Sequence, residues 1–342
     1  MEAALTGAKD ILGFVHTFAG GTDGTVATLA GQASTRRYHR VSTTGRPASC
    51  VVMELPADDT KVPEAQYPFL NLHHYLERGA YPVPRIYRSA LAQGLIALED
   101  LGDLTLERAV AEAPSAGHRQ ALYRQAIALI TRLQVLGAAR PDPACLAFGR
   151  RFDFALLRWE LDHFREWLLE EGRGVVLPPE DRAQLDAHFD TLAQTLAESP
   201  AVLVHRDFQS RNLMVLEGTT GPEIRVIDFQ DALLGPRVYD LVALLRDSYL
   251  SLPTSEVNEF IDEFSELTGE SAAATRHLFH LQTLQRKLKD AGRFVFIDRK
   301  RGNPGFLSAI PLTLEYVRNA LASLPAWADL HALLGRYLPE LR

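Results

Sequence analysis

The segment Val204–Leu213, VHRDFQSRNL, decides the fold of this 342-residue chain. It is predicted to form the end of one strand, a polar loop and the start of a second strand. Sixteen residues after Asn212, the apolar run Ile224–Ile227 ends at Asp228. If the strand that begins at Leu213 pairs with the run Ile224–Ile227 as a hairpin, Asn212 and Asp228 lie close together at its open end. Asp207 lies on the loop just before them.

These three polar side chains suit phosphoryl transfer. Asn212 and Asp228 offer the hard oxygen ligands that Mg²⁺ prefers, and Asp207 can accept a proton from a substrate hydroxyl. The order His-x-Asp-x-x-x-x-Asn followed by Ile-Asp-Phe resembles the catalytic and metal motifs of the protein-kinase-like phosphotransferases. The chain is most similar to their aminoglycoside/choline phosphotransferase branch. This resemblance implies that Asp207 is catalytic and that Asn212 and Asp228 bind the metal.

Two further segments extend the resemblance on either side of the motif. Leu98–Asp103 resembles the hinge between the lobes, which implies that backbone groups near Glu99 and Leu101 bind adenine. Gly235–Leu241 resembles the segment that follows the metal aspartate, in which Asp240 would brace the catalytic loop. An isolated match to such patterns recurs by chance, but the elements here occur in the expected order.

A narrower resemblance is carried by Ala33–Tyr38, Asp228–Ala232 and Tyr239–Asp247. These segments are similar to the cell-wall amino-sugar kinases, which phosphorylate the anomeric hydroxyl of N-acetylmuramate or N-acetylglucosamine in peptidoglycan recycling. The resemblance covers nearly the whole chain and is weakest in the first 30 residues.

The loop Gln32–Arg37 is the favoured cover for the phosphates of ATP. Its candidate cofactor-binding residues are Ser34, Arg36 and Arg37, and Arg40 is a further guanidinium donor, since guanidinium suits phosphate geometry. The strand Cys50–Glu54 lacks the lysine that kinases use to bind phosphates. Arg36 or Arg37 is the candidate replacement for that charge.

Four residues are candidates for contact with the substrate. Arg211, Gln230 and Asp231 are chosen because they adjoin the motifs. Arg293 belongs to the only concentrated positive segment, residues 286–301. This segment is either a solvated helix surface or a means of attracting an anionic substrate, such as the carboxylate of N-acetylmuramate.

Composition limits the remaining classes of protein. The 43 acidic and 36 basic side chains give a formal charge of −7, which argues against a nucleic-acid partner. The two cysteines exclude a disulfide framework and favour a reducing compartment. No apolar run reaches the roughly 18 residues that span a bilayer. We therefore expect a cytoplasmic protein that has a small-molecule substrate, no membrane association and no evident obligate protein partner.

The distribution of strand-like and helical patterns along the chain, together with the resemblance, predicts an α+β, bilobal protein-kinase-like fold. Residues 1–101 combine short strand-like runs with one helix over Tyr67–Arg78, and are assigned to a nucleotide-binding lobe. Residues 102–342 show long helical periodicity, interrupted by three short strands near the motif. This helical lobe is expected to carry the catalytic and metal loops and the substrate site.

The resemblance implies a sugar kinase that uses ATP and Mg²⁺. Two alternatives stay open at this point. One is a phosphotransferase of the same family that acts on an aminoglycoside, choline or another small alcohol. The other is a non-catalytic nucleotide-binding module, which the missing lysine favours and the intact Asp207, Asn212 and Asp228 disfavour.

Overall fold

The structure is a computed structural model that describes residues 2–29, 36–218 and 221–342. By their internal contacts the residues form two compact units, of which the first comprises residues 1–109 and 212–230 and the second comprises residues 110–211 and 231–342. The first unit is built on a sheet, and the second is mostly helical. The predicted α+β fold class is confirmed, whereas the assignment of functions to residues 1–101 and 102–342 stays a prediction.

The sheet of the first unit has five antiparallel strands in the order β1-β2-β3-β5-β4. Alternate residues of its strands face a helix, α1, whose Ile11, Phe14 and Val15 pack against Val41 and Val52. The elements are α1 (Glu2–Ala19), β1 (Gly24–Leu29), β2 (Arg37–Thr43), β3 (Ser49–Glu54), β4 (Ile86–Ala90) and β5 (Leu95–Glu99).

The same unit contains a hairpin that comes from the middle of the chain. Its strands β7 (Leu213–Gly218) and β8 (Gly221–Val226) are antiparallel, as predicted. Two backbone hydrogen bonds of 2.8 Å attach the hairpin to the unit, one from Val215 to Leu104 and one from Val226 to Pro82. The helix α2 (Pro68–Arg78) also belongs here, and α3 (Leu106–Ala111) lies at the boundary of the two units.

The second unit is a set of helices around one large apolar core. Its longest helix, α9, has buried residues on all sides, including buried polar ones. A short antiparallel pair of strands, β6 and β9, accompanies the helices. The elements are α4 (Ala116–Ala139), α5 (Phe154–Phe164), a π-helical continuation of α5 (Arg165–Gly172), α6 (Pro179–Glu198), β6 (Ala201–Val204), β9 (Leu233–Pro236), α7 (Tyr239–Leu245), α8 (Thr254–Thr268), α9 (Ala272–Arg301), α10 (Ile310–Ala322) and α11 (Ala328–Tyr337).

Three elements were not predicted. The helix α1 contains Gly7 and Gly13, which weaken its helical pattern. The edge strand β4 has no fully buried residue, and β9 ends in Gly235-Pro236, which is typical of a turn. The three short strands predicted near the motif do not form one sheet, because β6 pairs with β9 and not with the hairpin.

Across the described ranges, no helix combines the length and hydropathy needed to cross a membrane.

Candidate active site

The predicted catalytic loop begins with a peptide that is held in an unusual conformation. Arg206 has a φ of +79°, in the left-handed region that side-chain-bearing residues rarely adopt. The buried carboxylate of Asp240 accepts hydrogen bonds from the N–H groups of His205, at 2.7 Å, and of Arg206, at 3.0 Å. Burial raises the pKa of Asp240, although both hydrogen bonds favour its charged form. The expected bracing of the loop by Asp240 is therefore present in the structure.

A buried arginine holds the other side of the same peptide. Arg286 on α9 is 0% exposed and donates to the carbonyl oxygen of Arg206, at 2.8 Å, and to Oδ1 of Asp207, at 3.4 Å. Burial acts to raise the pKa of Asp207, but the charges of Arg286 and of its neighbour Lys289 outweigh it and lower that pKa. The carboxylate of Asp207 is thus kept ionised, as a proton acceptor requires.

The end of the loop is fixed by a second buried acid. Asp247 accepts hydrogen bonds from the backbone N–H of Ser210, at 2.9 Å, and from its hydroxyl, at 2.5 Å. The guanidinium of Arg211 lies 3.4 Å from the ring centroid of Tyr249. Arg211, a predicted substrate residue, is consequently stacked on the ring of Tyr249 within the second unit.

The two predicted metal ligands meet in the first unit. Asn212 Nδ2 lies 3.5 Å from Asp228 Oδ2, and Gln230 Nε2 donates to Asp228 Oδ1 at 2.8 Å. Asp228 has a φ of +65°, so its backbone is strained in the same way as that of Arg206. The ring of the next residue, Phe229, is buried and stacks on Phe69 of α2 at 5.0 Å, which fixes the backbone beside Asp228.

The residues at this pair fit a magnesium ion by the chemistry of their donors. Asn212 and Asp228 together offer amide and carboxylate oxygens, and Asp228 is exposed. Mg²⁺ is usually held by one or two carboxylates and completes its shell with phosphate oxygens and water. Among the described residues, no group of three or more His, Cys, Asp or Glu side chains offers an all-protein site. A small, open donor set is what a metal that travels with ATP needs.

The predicted phosphate-binding residues are only partly within the described residues. Ser34 lies outside them, as does most of its loop. The guanidinium of Arg36 lies 5.8 Å from the ring centroid of Tyr67. Arg37 is 69% exposed and pairs with Glu54 at 2.6 Å, in the strand that lacks the lysine. Burial raises the pKa of Tyr38, and the charges of Arg36 and Asp228 act on that pKa in opposite directions.

The predicted adenine segment is held by Arg40. Its guanidinium forms two 2.9 Å hydrogen bonds to Asp103 and a 2.9 Å ion pair with Asp100. Arg40 therefore fixes this segment, whereas the sequence suggested that it bound phosphate. Glu99 ends β5 and its N–H donates to the carbonyl of Arg85 at 2.8 Å. Leu101 follows it and is buried, 8% exposed.

The remaining predicted substrate residues lie in the second unit and act on the catalytic loop through their charges. The negative charge of Asp231 acts to raise the pKa of Arg206. Arg293, on α9, acts on Arg206 and Asp207, and its guanidinium lies 4.8 Å from the ring centroid of Phe296. The positive segment 286–301 is thus not one solvated surface, because its first turn is buried beneath the catalytic loop.

Arg286 is the functional candidate that sequence reasoning missed. It was counted only as part of the positive segment, and a run of charges is usually solvated. A usable signal was nevertheless present, since Leu281, Leu284 and Leu288 surround it on the helix and indicate burial on several sides. His205 is also buried, and its ring packs edge-on against Phe208 at 5.6 Å.

Comparisons with known proteins identify relatives along most of the chain. The model of the family described as "Phosphotransferase enzyme family" matches residues 25–278. The N-acetylmuramate/N-acetylglucosamine kinase of Pseudomonas aeruginosa is 32% identical over 315 residues, 90% of this chain and 87% of that protein. The protein of the same name from Pseudomonas putida is 30% identical over 319 residues, 91% of this chain and 88% of that protein.

A solved structure shares the fold. The ADP-bound aminoglycoside phosphotransferase APH(2'')-Ib superposes with a TM-score of 0.59 at 14% identity, covering 91% of this chain and 98% of that one. At this low identity the similarity extends to the fold alone, and it agrees with the kinase-like architecture expected from the motifs.

Proposed function

Because the chain belongs to the phosphotransferase enzyme family, we propose that it transfers the γ-phosphoryl group of ATP to the anomeric hydroxyl of N-acetylmuramate or N-acetylglucosamine. The choice of acceptor is supported by two relatives named N-acetylmuramate/N-acetylglucosamine kinase, at 30% and 32% identity over about nine-tenths of the chain. The same proposal places the reaction in the cytoplasm, where sugars recovered from peptidoglycan would meet ATP.

The observation that carries the proposal is the way in which buried residues hold the carboxylate of Asp207. Its carboxylate lies beside the buried guanidinium of Arg286, which lowers its pKa, and its loop is anchored at Asp240. A fixed and ionised carboxylate can accept a hydrogen bond from an acceptor hydroxyl and hold it in one orientation.

The proposed reaction exchanges one bond to phosphorus for another. The acceptor oxygen bonds to the γ-phosphorus, the bond from this phosphorus to the bridging oxygen breaks, and ADP leaves with the electron pair. The hydroxyl proton passes to Asp207. An anomeric hydroxyl is more acidic than an ordinary alcohol, so orientation by Asp207 contributes more than its basicity does.

The first unit supplies the proposed nucleotide contacts. Backbone groups near Glu99 and Leu101 would bind adenine, and Ser34, Arg36 and Arg37 would contact the phosphates. Asn212 and Asp228 would hold Mg²⁺, which when bound offsets the negative charge of the phosphates. Arg36 is suited to this role because its charge and that of the proposed metal ligand Asp228 both influence the pKa of Tyr38.

The charges of the second unit favour an anionic or neutral acceptor. The charges of Arg286 and Lys289 lower the pKa of Asp207, and Arg293 interacts electrostatically with the same carboxylate. A polycationic aminoglycoside would be repelled there, whereas the carboxylate of N-acetylmuramate would be attracted. We assign Arg293 and Arg211 to contact with the sugar.

Gln230 and Asp231 are the other two proposed substrate residues. Both adjoin the proposed metal ligand Asp228, and Gln230 already hydrogen-bonds to its carboxylate at 2.8 Å. Their replacement should alter the KM for the sugar if they contact it.

The test is transfer from γ-labelled ATP with Mg²⁺ to N-acetylmuramate, N-acetylglucosamine, kanamycin and choline in parallel. We expect label on the amino sugars in an acid-labile, alkali-stable 1-phosphate. Asp207→Asn should reduce transfer by at least about 10³-fold while ATP binding persists, since proton acceptance and orientation act together. The matched control is Asp190→Asn, which alters an exposed ion pair with Arg158.

Label on kanamycin or choline instead would contradict the amino-sugar assignment and retain the kinase. Transfer by Asp207→Asn at the wild-type rate would contradict the role of Asp207. ATP binding without transfer to any acceptor would favour the non-catalytic module.

A further inference from the structure

A polar cleft in the second unit lies apart from the catalytic loop. Its volume is about 700 Å³, which is within the range of small-molecule sites. Residues from α8, α9 and α10 line it, together with the residue that follows α7. Its positively charged, titratable and amide-bearing residues are Arg246, Asn258, Arg276, His277, His280 and Asn319.

Arg246 is the unusual member of this cleft. Its side chain is buried, only 6% of the residue is exposed, and it lines the cleft. Within the described part of the chain its guanidinium makes no hydrogen bond and no ion pair, and it lies over the rings of Phe279, at 5.6 Å, and Tyr316, at 5.1 Å. Burying a guanidinium without an anionic partner is costly. The two rings stabilise its charge, whereas its N–H groups are left available to an anion in the cleft.

The other titratable groups of the cleft carry less uncompensated charge than Arg246 does. Arg276 forms an ion pair with Asp262 of α8, so its charge is partly compensated. Burial and the charges of Arg246, Arg276 and His277 lower the pKa of His280 to about 4. Burial also lowers the pKa of Arg246, against the opposing influence of Tyr316 and Glu315.

The cleft is separate from the groups that support Asp207. The pKa of Asp207 is lowered by the charges of Arg286, Lys289, Arg206 and His205, and Arg293 also interacts with Asp207; none of these residues lines the cleft. Along α9, His280 and Arg276 precede Arg286 by six and ten residues, which corresponds to about 9 Å and about 15 Å of helix axis.

We propose that this cleft binds a phosphorylated small molecule, whose phosphate pairs with Arg246. The guanidinium fork matches two phosphate oxygens. Arg276, the two histidines and the amides of Asn258 and Asn319 offer more donors than the two oxygens of a carboxylate can use. The inference concerns binding alone and does not depend on the proposed kinase activity.

The cleft also borders an anchor of the catalytic loop. Arg246 is followed directly by Asp247, which holds Ser210 by two hydrogen bonds. A phosphate on Arg246 therefore adjoins the segment that fixes the end of this loop, and the sugar phosphate formed in the proposed reaction is one source of the ligand that the experiment tests. An unrelated phosphate ester is the other.

The test is isothermal titration calorimetry of the full chain in chloride buffer without nucleotide. The probes are inorganic phosphate, N-acetylglucosamine 1-phosphate, glucose 6-phosphate and lactate. We expect phosphate binding that weakens at least tenfold in Arg246→Met, a change that keeps the volume and removes the charge. The exposed control Arg336→Gln should bind as the wild type does. Arg276→Gln, at a half-buried position, should weaken binding if Arg246→Met does not fold.

The two phosphate esters distinguish the sources of the ligand. Tighter binding of N-acetylglucosamine 1-phosphate than of glucose 6-phosphate supports the reaction product, and the reverse supports an unrelated ester. Either result supports the phosphate site if Arg246→Met removes it. The proposal is overturned if phosphate binds wild type and Arg246→Met equally, if it does not bind at millimolar concentration, or if lactate binds as tightly.

Discussion

Replacing Arg286 by Met tests how the catalytic loop is held. The change removes a fully buried guanidinium that donates to the carbonyl of Arg206 at 2.8 Å and to Asp207 at 3.4 Å. The chain should still fold, because Asp290, a buried acid that also pairs with Arg286, keeps its ion pairs with Lys287 and Lys289 at 2.9 and 2.8 Å. The effect should therefore concentrate on the loop.

The magnitude follows from the two contacts. Unit charges at the 3.4 Å separation of Arg286 and Asp207 interact by about 5 kcal/mol at an effective dielectric constant of about 20. Asp207 is 40% exposed, so solvent screens this contact, and we take about 1–2 kcal/mol. The charged hydrogen bond to the Arg206 carbonyl adds about 1.5–3 kcal/mol. A loss of about 3 kcal/mol from loop orientation corresponds to a fall in kcat of roughly 100-fold.

The assay is steady-state transfer over a pH series, with Arg286→Lys as the matched control that retains the charge. Loss of the cation should raise the pKa of Asp207, so that in Arg286→Met the acidic limb of kcat moves to higher pH. In Arg286→Lys this limb should stay near its wild-type position, with a smaller fall in kcat. The KM for ATP should not change. A folded Arg286→Met enzyme with wild-type kcat and pH dependence would refute the reasoning, and a lower kcat without the shift would reduce Arg286 to a structural role.

Three further changes test other parts of the structure. Asp240→Asn leaves one of two buried N–H groups without its acceptor and should lower the free energy of unfolding by about 2–3 kcal/mol in urea titrations, with loss of transfer. Arg40→Gln releases the proposed adenine segment and should raise the KM for ATP by roughly 3–10-fold (about 1 kcal/mol) with little change in kcat; an unchanged KM would speak against adenine binding there. Burial and the charges of Arg293 and Lys289 lower the pKa of His163 to about 4. The unfolded chain therefore binds a proton at His163 between about pH 6.5 and 4 that the folded chain does not, and stability falls as the pH falls through this window. His163→Phe should remove about 2 kcal/mol of that loss between pH 7 and pH 5, seen as a smaller difference in urea midpoint between these two pH values.

Local patterns in the sequence were enough to predict that Asn212 and Asp228 lie close together, whereas their binding of a metal stays a prediction. Leu213 pairs with Val226 at the open end of the hairpin. Asn212 directly precedes Leu213 and Asp228 follows Val226 by two residues, so their side chains come together at this end. Both strands show the apolar runs typical of β-structure, and few other pairings of neighbouring runs are available. The position of this pair therefore follows from contacts that are close in sequence.

Contacts between distant segments could not be predicted in the same way. Arg286 meets Asp207 across 79 residues, and no local pattern records which helix passes beneath a loop. The partner of β6 proved to be β9, whose Gly235-Pro236 is typical of a turn, because the burial of the paired strands outweighs local propensity. Charge runs are ambiguous for the same reason, since Arg286 and Lys287 are as charged as any surface residue and yet fully enclosed.

The motif specifies backbone conformation as well as side-chain chemistry. Arg206 and Asp228 both have positive φ, an arrangement that costs of order 1–3 kcal/mol for a residue with a side chain. Glycine would adopt either conformation without strain, but glycine at position 228 would remove the carboxylate that accepts from Gln230. At position 206 the strain is opposed by two buried charged groups, Asp240 on the N–H and Arg286 on the carbonyl. Since these groups come from α7 and α9, the conformation of the loop depends on how the helices of the second unit pack, and helix residues far from the motif in sequence hold the carboxylate of Asp207 in place.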